Sequence, residues 1–127
     1  MHRFVFLAIA MAFTSCNAAT RDFSPIQADS LLKAEAGDSS FRLIDVRTPE
    51  EFASGHIKGA TMVDFKAPDF VEKISVYPRN AKILIYCRSG HRSGLALQRM
   101  EAMGFADVQH IVGGINGWSS QGLPVER

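Results

Sequence analysis

The segment Cys87-Arg88-Ser89-Gly90-His91-Arg92-Ser93-Gly94 gathers the residues of this chain best suited to chemistry. The thiol of Cys87 becomes a nucleophile when it loses its proton. Gly90 lets the backbone curl tightly behind it. A curl that runs into a helix turns several N–H groups inward and forms a cradle for negative charge. Those groups, the helix dipole and the guanidinium groups of Arg88 and Arg92 all favour thiolate over thiol at Cys87. A site of this kind needs no separate base. Arg88 and Arg92 are also suited to hold an oxyanion by charge-assisted hydrogen bonds, Arg92 more than Arg88. Ser89 or Ser93 can donate a hydroxyl to sulfur, and Ser93 is a candidate helix cap. His91 reads as an exposed loop-tip residue rather than a base. The competing reading is an inert buried thiol, which suits apolar surroundings better than a cysteine beside two arginines.

Such a loop must be held between a strand and a helix, and the flanking pattern supplies both. Ile83 to Tyr86 is β-branched and apolar, which predicts a buried strand ending at Cys87. Ser93 to Met103 predicts a helix with Leu95, Leu97, Met100 and Met103 near one face and Gly104 as its stop. Further strands are expected at 41–46, 60–63 and 108–112, and helices at 28–36, 69–76 and 115–121. Thr48-Pro49-Glu50-Glu51-Phe52 opens another helix, with Thr as cap, Pro in the first position and Glu in the first turn, and Gly55 ends it. Residues 17–23 read as a polar linker. Strands alternating with helices predict an α/β domain whose parallel sheet is covered on both faces. Sites in such sheets lie where strand C-termini meet helix N-termini, which is where Cys87 falls.

Elsewhere the side chains favour structural roles. Asp45, at a strand end, either pairs with Arg47 to hold the loops or supports the chemistry. His56 reads as a local packing or capping group, Trp118 as a core anchor, and Gly113 and Gly114 as turn residues. His2, His56, His91 and His110 show no metal-ligand spacing, so no metal is expected.

The chain has 127 residues, 46% of them hydrophobic and 21% charged, which suits one globular domain. A formal net charge of +1 gives no reason to expect a nucleic-acid partner. Met1-His2-Arg3 is a short basic start, and Phe4 to Phe13 is an unbroken apolar run of ten residues. A membrane-spanning helix needs about 20 such residues, so residues 1–19 read as an export segment instead. Phe13-Thr14-Ser15-Cys16 resembles a bacterial lipobox, although Phe13 stands where that box usually carries Leu. Cys16 is therefore a candidate lipid anchor, and cleavage after Ala18 or Ala19 is the alternative. Either cut removes Arg3 and leaves 13 basic against 13 acidic side chains. The expected location is the periplasm, soluble or membrane-anchored. Cys87 would then be the only free thiol, without a partner in its own chain.

Three segments carry a resemblance to a known family. Cys87-Arg88-Ser89-Gly90-His91-Arg92-Ser93 resembles the active-site loop of single-domain rhodanese-like proteins. Leu43 to Phe52, followed by Gly55-His56-Ile57-Lys58-Gly59-Ala60, is similar to the family's N-terminal signature. Val112-Gly113-Gly114-Ile115-Asn116-Gly117-Trp118 is similar to its C-terminal signature. The resemblance spans residues 23–125. It implies a five-stranded, mainly parallel sheet flanked by helices on both faces. It also implies that Cys87 takes the outer sulfur of a donor such as thiosulfate, carries it as a persulfide and yields it to a thiol, a protein or, in vitro, cyanide. No cofactor is implied. Phosphatases and arsenate reductases sharing the fold resemble a Cys-x5-Arg loop, whereas Cys87 to Arg92 is Cys-x4-Arg, with Ser93 where their Arg sits. The shorter loop suits a sulfane sulfur better than phosphate. A persulfide carrier or protein-binding module is the main alternative to a sulfurtransferase.

Overall fold

The computed structural model describes residues 21–127. The expected export segment, residues 1–19, and the candidate lipid anchor Cys16 lie outside the described residues. Five strands form one sheet: β1 (Asp22–Phe23), β2 (Phe41–Asp45), β3 (Thr61–Met62), β4 (Lys82–Tyr86) and β5 (Val108–Ile111). Their spatial order is β1-β5-β4-β2-β3, and every neighbouring pair is parallel. The helices are α1 (Pro25–Ala34), α2 (Pro49–Ser54), α3 (Phe70–Ile74), α4 (His91–Ala102) and α5 (Gly114–Ser120). The architecture is thus an α/β fold with a five-stranded all-parallel sheet.

Alternation along the strands builds two cores. Ile83, Ile85 and Cys87 face Phe70 and Ile74 of α3 and Ala96, Leu97 and Met100 of α4. Leu84 and Tyr86 face Ala28 of α1 and Ile115 and Trp118 of α5. Burial of β4 on both faces is why its sequence is a continuous apolar run rather than an alternating one. Both edge strands, β1 and β3, are only two residues long, which limits pairing with other chains.

Local chemistry sets several boundaries. Thr48 caps α2 through a reciprocal capping box with Glu51, with Pro49 in the first position, as its sequence predicts. An equivalent box, Ser24 with Gln27, starts α1 at Pro25, three residues before the expected start. Asp22 and Phe23, expected in a linker, form β1 instead because they meet His110 and Ile111 of β5 in register. The expected shared face of α4 also needs correction. Ser93, Ala96, Leu97 and Met100 are the buried positions, at true helical spacing, whereas Leu95 is 43% exposed.

The C-terminal ends of β2 and β4 lie side by side, with Asp45 opposite Tyr86. The Tyr86 hydroxyl accepts a 3.0 Å hydrogen bond from the buried Ile57 N–H, tying the turn before β3 to the end of β4. Tyr86→Phe leaves that N–H unpaired in the interior. It is expected to lower stability by about 1–3 kcal/mol, seen in urea unfolding as a reduced midpoint with an unchanged slope.

Candidate active site

β4 ends at Tyr86, and the next residue, Cys87, is 1% exposed. The loop that follows curls back over it. Gly90 takes φ 102°, a conformation that disfavours a side chain, and caps the start of α4. Its N–H donates to Cys87 Sγ at 3.1 Å. The Ser93 hydroxyl lies 3.5 Å from the same sulfur and 3.2 Å from the Gly90 carbonyl. Ser93 therefore does not cap α4; it sits inside the first turn with its hydroxyl aimed at the sulfur.

The proton balance at Cys87 follows from these contacts. Burial pushes the thiol up. The Ser93 hydroxyl and the backbone N–H groups of Ser93, Gly90 and Ser89 push it down, and their combined effect prevails. The net shift is below the ordinary thiol range, toward thiolate. Neutral donors carry this shift, in place of the guanidinium groups that the sequence suggests.

Of the two loop arginines, Arg92 is engaged elsewhere. Arg92 makes a two-pronged pair with Glu51 of α2, at 2.8 and 2.9 Å. The Arg92 hydrogen bond is the main cause that takes Glu51 down from 4.5 to about 2. Arg92 still feels the Cys87 charge, but as a smaller influence than Glu51. Arg88 and Ser89 are exposed at the rim, as is His91 at the start of α4. Asp45 and Arg47 are buried and paired to each other at 2.7 Å, and Arg47 Nη2 also donates to the Gly55 carbonyl at 2.6 Å. Desolvation opposes the Arg47 charge, yet the Asp45 contact raises its pKa overall. This pair joins the end of β2 to the end of α2, which is the scaffold role of the two alternatives.

α5 completes the site from behind. The N–H of Ile115 donates to the Cys87 carbonyl at 2.9 Å, and that of Asn116 to the Arg88 carbonyl at 3.1 Å. A Cβ on Gly114, whose φ is 59°, would collide with the carbonyl groups of Cys87 and Arg88. Gly114 is thus more than a turn residue, because its missing side chain allows one backbone to touch the other. The spacing Gly113-Gly114 shows a turn but not this contact, which depends on how two distant loops meet.

Sequence reasoning also passes over His110 of β5. Its Nδ1 lies 2.9 Å from Ser93 Oγ and its Nε2 3.0 Å from Asp22 Oδ1. Nothing in its spacing along the chain points to Cys87. Among the described residues no cluster of three His, Cys, Asp or Glu side chains is placed to hold a metal ion.

A buried cysteine, ringed by amide and hydroxyl donors at the C-terminal edge of a parallel sheet, defines an α/β domain with a thiol biased toward thiolate. Comparison with known proteins narrows the class. A family model for the rhodanese-like domain matches residues 28–121. Thiosulfate sulfurtransferase 16, chloroplastic, of Arabidopsis thaliana is 40% identical over 95 residues, covering 67% of this chain and 79% of that protein. A sulfurtransferase of Allochromatium vinosum is 34% identical over 100 residues, covering 79% and 92%. The crystal structure of a rhodanese-related protein from Thermoplasma volcanium superposes with a TM-score of 0.69, at 24% identity, over 84% of this chain and 97% of that one. This chain belongs to the rhodanese-like sulfurtransferase family.

The Glu51–Arg92 pair has a pH signature. A carboxyl held at about 2 in the fold, against 4.5 when free, adds stability that is complete above 4.5 and lost as pH falls toward 2. Wild type is expected to exceed Glu51→Gln in stability by on the order of 1–2 kcal/mol near neutral pH, after solvent screening. That gap should close between those two values, as read by urea unfolding across the acid range.

Proposed function

We propose that this protein transfers a sulfane sulfur from thiosulfate, or a related donor, through a persulfide on Cys87 to a thiophilic acceptor. The observation that carries this reading is the covered sulfur itself, met by the Gly90 N–H at 3.1 Å and the Ser93 hydroxyl at 3.5 Å. These donors hold negative charge on sulfur without a fixed cation pairing with it and blunting its attack.

The Cys87 thiolate attacks the outer sulfur of thiosulfate. The new S–S bond forms as the old one breaks, and sulfite leaves with the bonding electron pair. The product is a Cys87 persulfide that keeps one negative charge. Cyanide in vitro, or a thiol or protein in the cell, then attacks the outer sulfur and returns Cys87 to thiolate. Free enzyme and persulfide enzyme alternate, so ping-pong kinetics are expected. Arg88, exposed at the rim, is the cation available to the sulfonate end of the donor. Arg92 contributes less, because Glu51 already offsets its charge. A terminal sulfane sulfur, bonded to one atom, reaches a nearly covered nucleophile more readily than a tetrahedral phosphoryl centre does, which supports sulfur transfer over phosphate hydrolysis.

Purified protein with thiosulfate and cyanide should form thiocyanate. Cys87→Ser should reduce this at least about a thousandfold, as removal of a covalent nucleophile does. Gain of one sulfur in mass without turnover would favour a carrier, and hydrolysis of an aryl phosphate without sulfur transfer would overturn the reading.

The proposal extends to location. The basic start and apolar run of residues 1–19 support export, with Cys16 as a lipid anchor or with cleavage after Ala18 or Ala19. Intact-mass measurement of protein from a bacterial host should show the loss of this segment, with or without added acyl chains. A full-length, unmodified mass in the cytoplasm would remove the export reading.

A further inference from the structure

Cys87 is buried, and a buried thiol needs somewhere to send its proton. The described residues offer one continuous path. Cys87 Sγ lies 3.5 Å from Ser93 Oγ, Ser93 Oγ lies 2.9 Å from His110 Nδ1, and His110 Nε2 lies 3.0 Å from Asp22 Oδ1. The path runs from the interior to solvent, since the side chain of His110 is 13% exposed and that of Asp22 is 70% exposed. It draws on four separate parts of the chain: the active loop, α4, β5 and β1.

From this geometry we infer that His110 is the proton acceptor of the resting thiol, with Ser93 as the link, and so sets the pH at which Cys87 becomes reactive. His110 acts through Ser93 and is a positioning residue, not one that touches the donor. The inference rests on Cys87 being the working nucleophile.

The hydrogen-bond directions are consistent in both proton states. The Asp22 carboxylate only accepts, so it selects the proton on Nε2 and leaves Nδ1 bare in the neutral ring. Bare Nδ1 accepts from the Ser93 hydroxyl, and the Ser93 oxygen accepts from the Cys87 thiol. Transfer moves the thiol proton to Ser93 and the Ser93 proton to Nδ1. The products are a Cys87 thiolate, a neutral serine and an imidazolium beside Asp22. No electron changes owner and total charge is conserved. The two bonds at Ser93 have then reversed, while Nε2–H still donates to Asp22. Nδ1–H donates to Ser93, and Ser93 donates to the thiolate. In the resting state the Gly90 carbonyl, 3.2 Å from Ser93 Oγ, competes for the serine hydrogen but lies farther away than Nδ1 at 2.9 Å.

Apart from His91, exposed at the start of α4, the other charged groups on the elements around His110 are engaged. On α4, Arg92 pairs with Glu51, Arg99 lies over the Phe65 ring and Glu101 pairs with Arg21, which precedes β1. On β5, Asp107 accepts from Gln109 just before the strand, and β4 places Ile85 in register with His110. Asp22 is the acidic group within ion-pair reach of the ring among the described residues.

The test measures iodoacetamide alkylation of Cys87 in the full chain, resolved from Cys16 by peptide mass spectrometry, as a function of pH. His110→Asn retains a hydrogen-bonding side chain but cannot titrate. It is expected to move the Cys87 inflection up by about one pH unit and slow alkylation near neutral pH about tenfold. Asp22→Asn should shift it the same way by less. A wild-type profile in His110→Asn would reduce His110 to a structural prop and overturn the inference. A second measurement avoids altering His110. By linkage its imidazole should titrate lower in Cys87→Ser than in wild type, because the thiolate that stabilises the imidazolium is gone. An unchanged NMR titration would equally overturn it. Neither readout involves thiosulfate. A protein that makes no thiocyanate yet shows both shifts retires the donor assignment and leaves the Cys87–His110 link standing.

Discussion

A thiol 1% exposed would ordinarily stay protonated, and the site depends on that tendency being outweighed. The Gly90 amide and the Ser93 hydroxyl supply the nearest opposing interactions, at 3.1 and 3.5 Å from Sγ. Neutral donors suit this task. A cation placed directly on the sulfur would also ionise it, but would hold the electron pair in a tight ion pair. Amides from a tight curl stabilise the charge without a fixed counter-ion on the sulfur.

The rest of the fold keeps that curl in shape. β4 delivers Cys87 to the sheet edge because it is paired on both sides, to β2 and to β5. α5 holds the carbonyl groups of Cys87 and Arg88 from behind, and Gly114 makes that approach sterically possible. The charged residues near the site serve mostly as braces. Asp45 with Arg47 ties β2 to the end of α2, and Glu51 with Arg92 ties α2 to α4. Arg88 is left exposed at the rim.

The path through Ser93, His110 and Asp22 adds a polar line to an otherwise apolar face of α4. It explains why β1, only two residues long, belongs to the working structure: its Asp22 side chain closes the line at the surface. It also gives Ser93 two contacts of different purpose, one to the sulfur and one to the imidazole.

Much of this was legible along the chain because it depends on near neighbours. The apolar run Ile83 to Tyr86 announces a doubly covered strand, Thr48-Pro49-Glu50-Glu51 announces a capped helix, and Cys87 to Ser93 announces a curled donor-rich loop. Tertiary structure alone decided the rest. Asp22 and Phe23 become a strand only where β5 offers an edge, Arg92 turns to Glu51 across 41 residues, and His110 reaches Ser93 across 17. The division has one physical cause. Backbone propensity and capping act within a few residues and leave a local mark, whereas ion pairs, edge pairing and proton paths depend on which distant segments the hydrophobic cores press together.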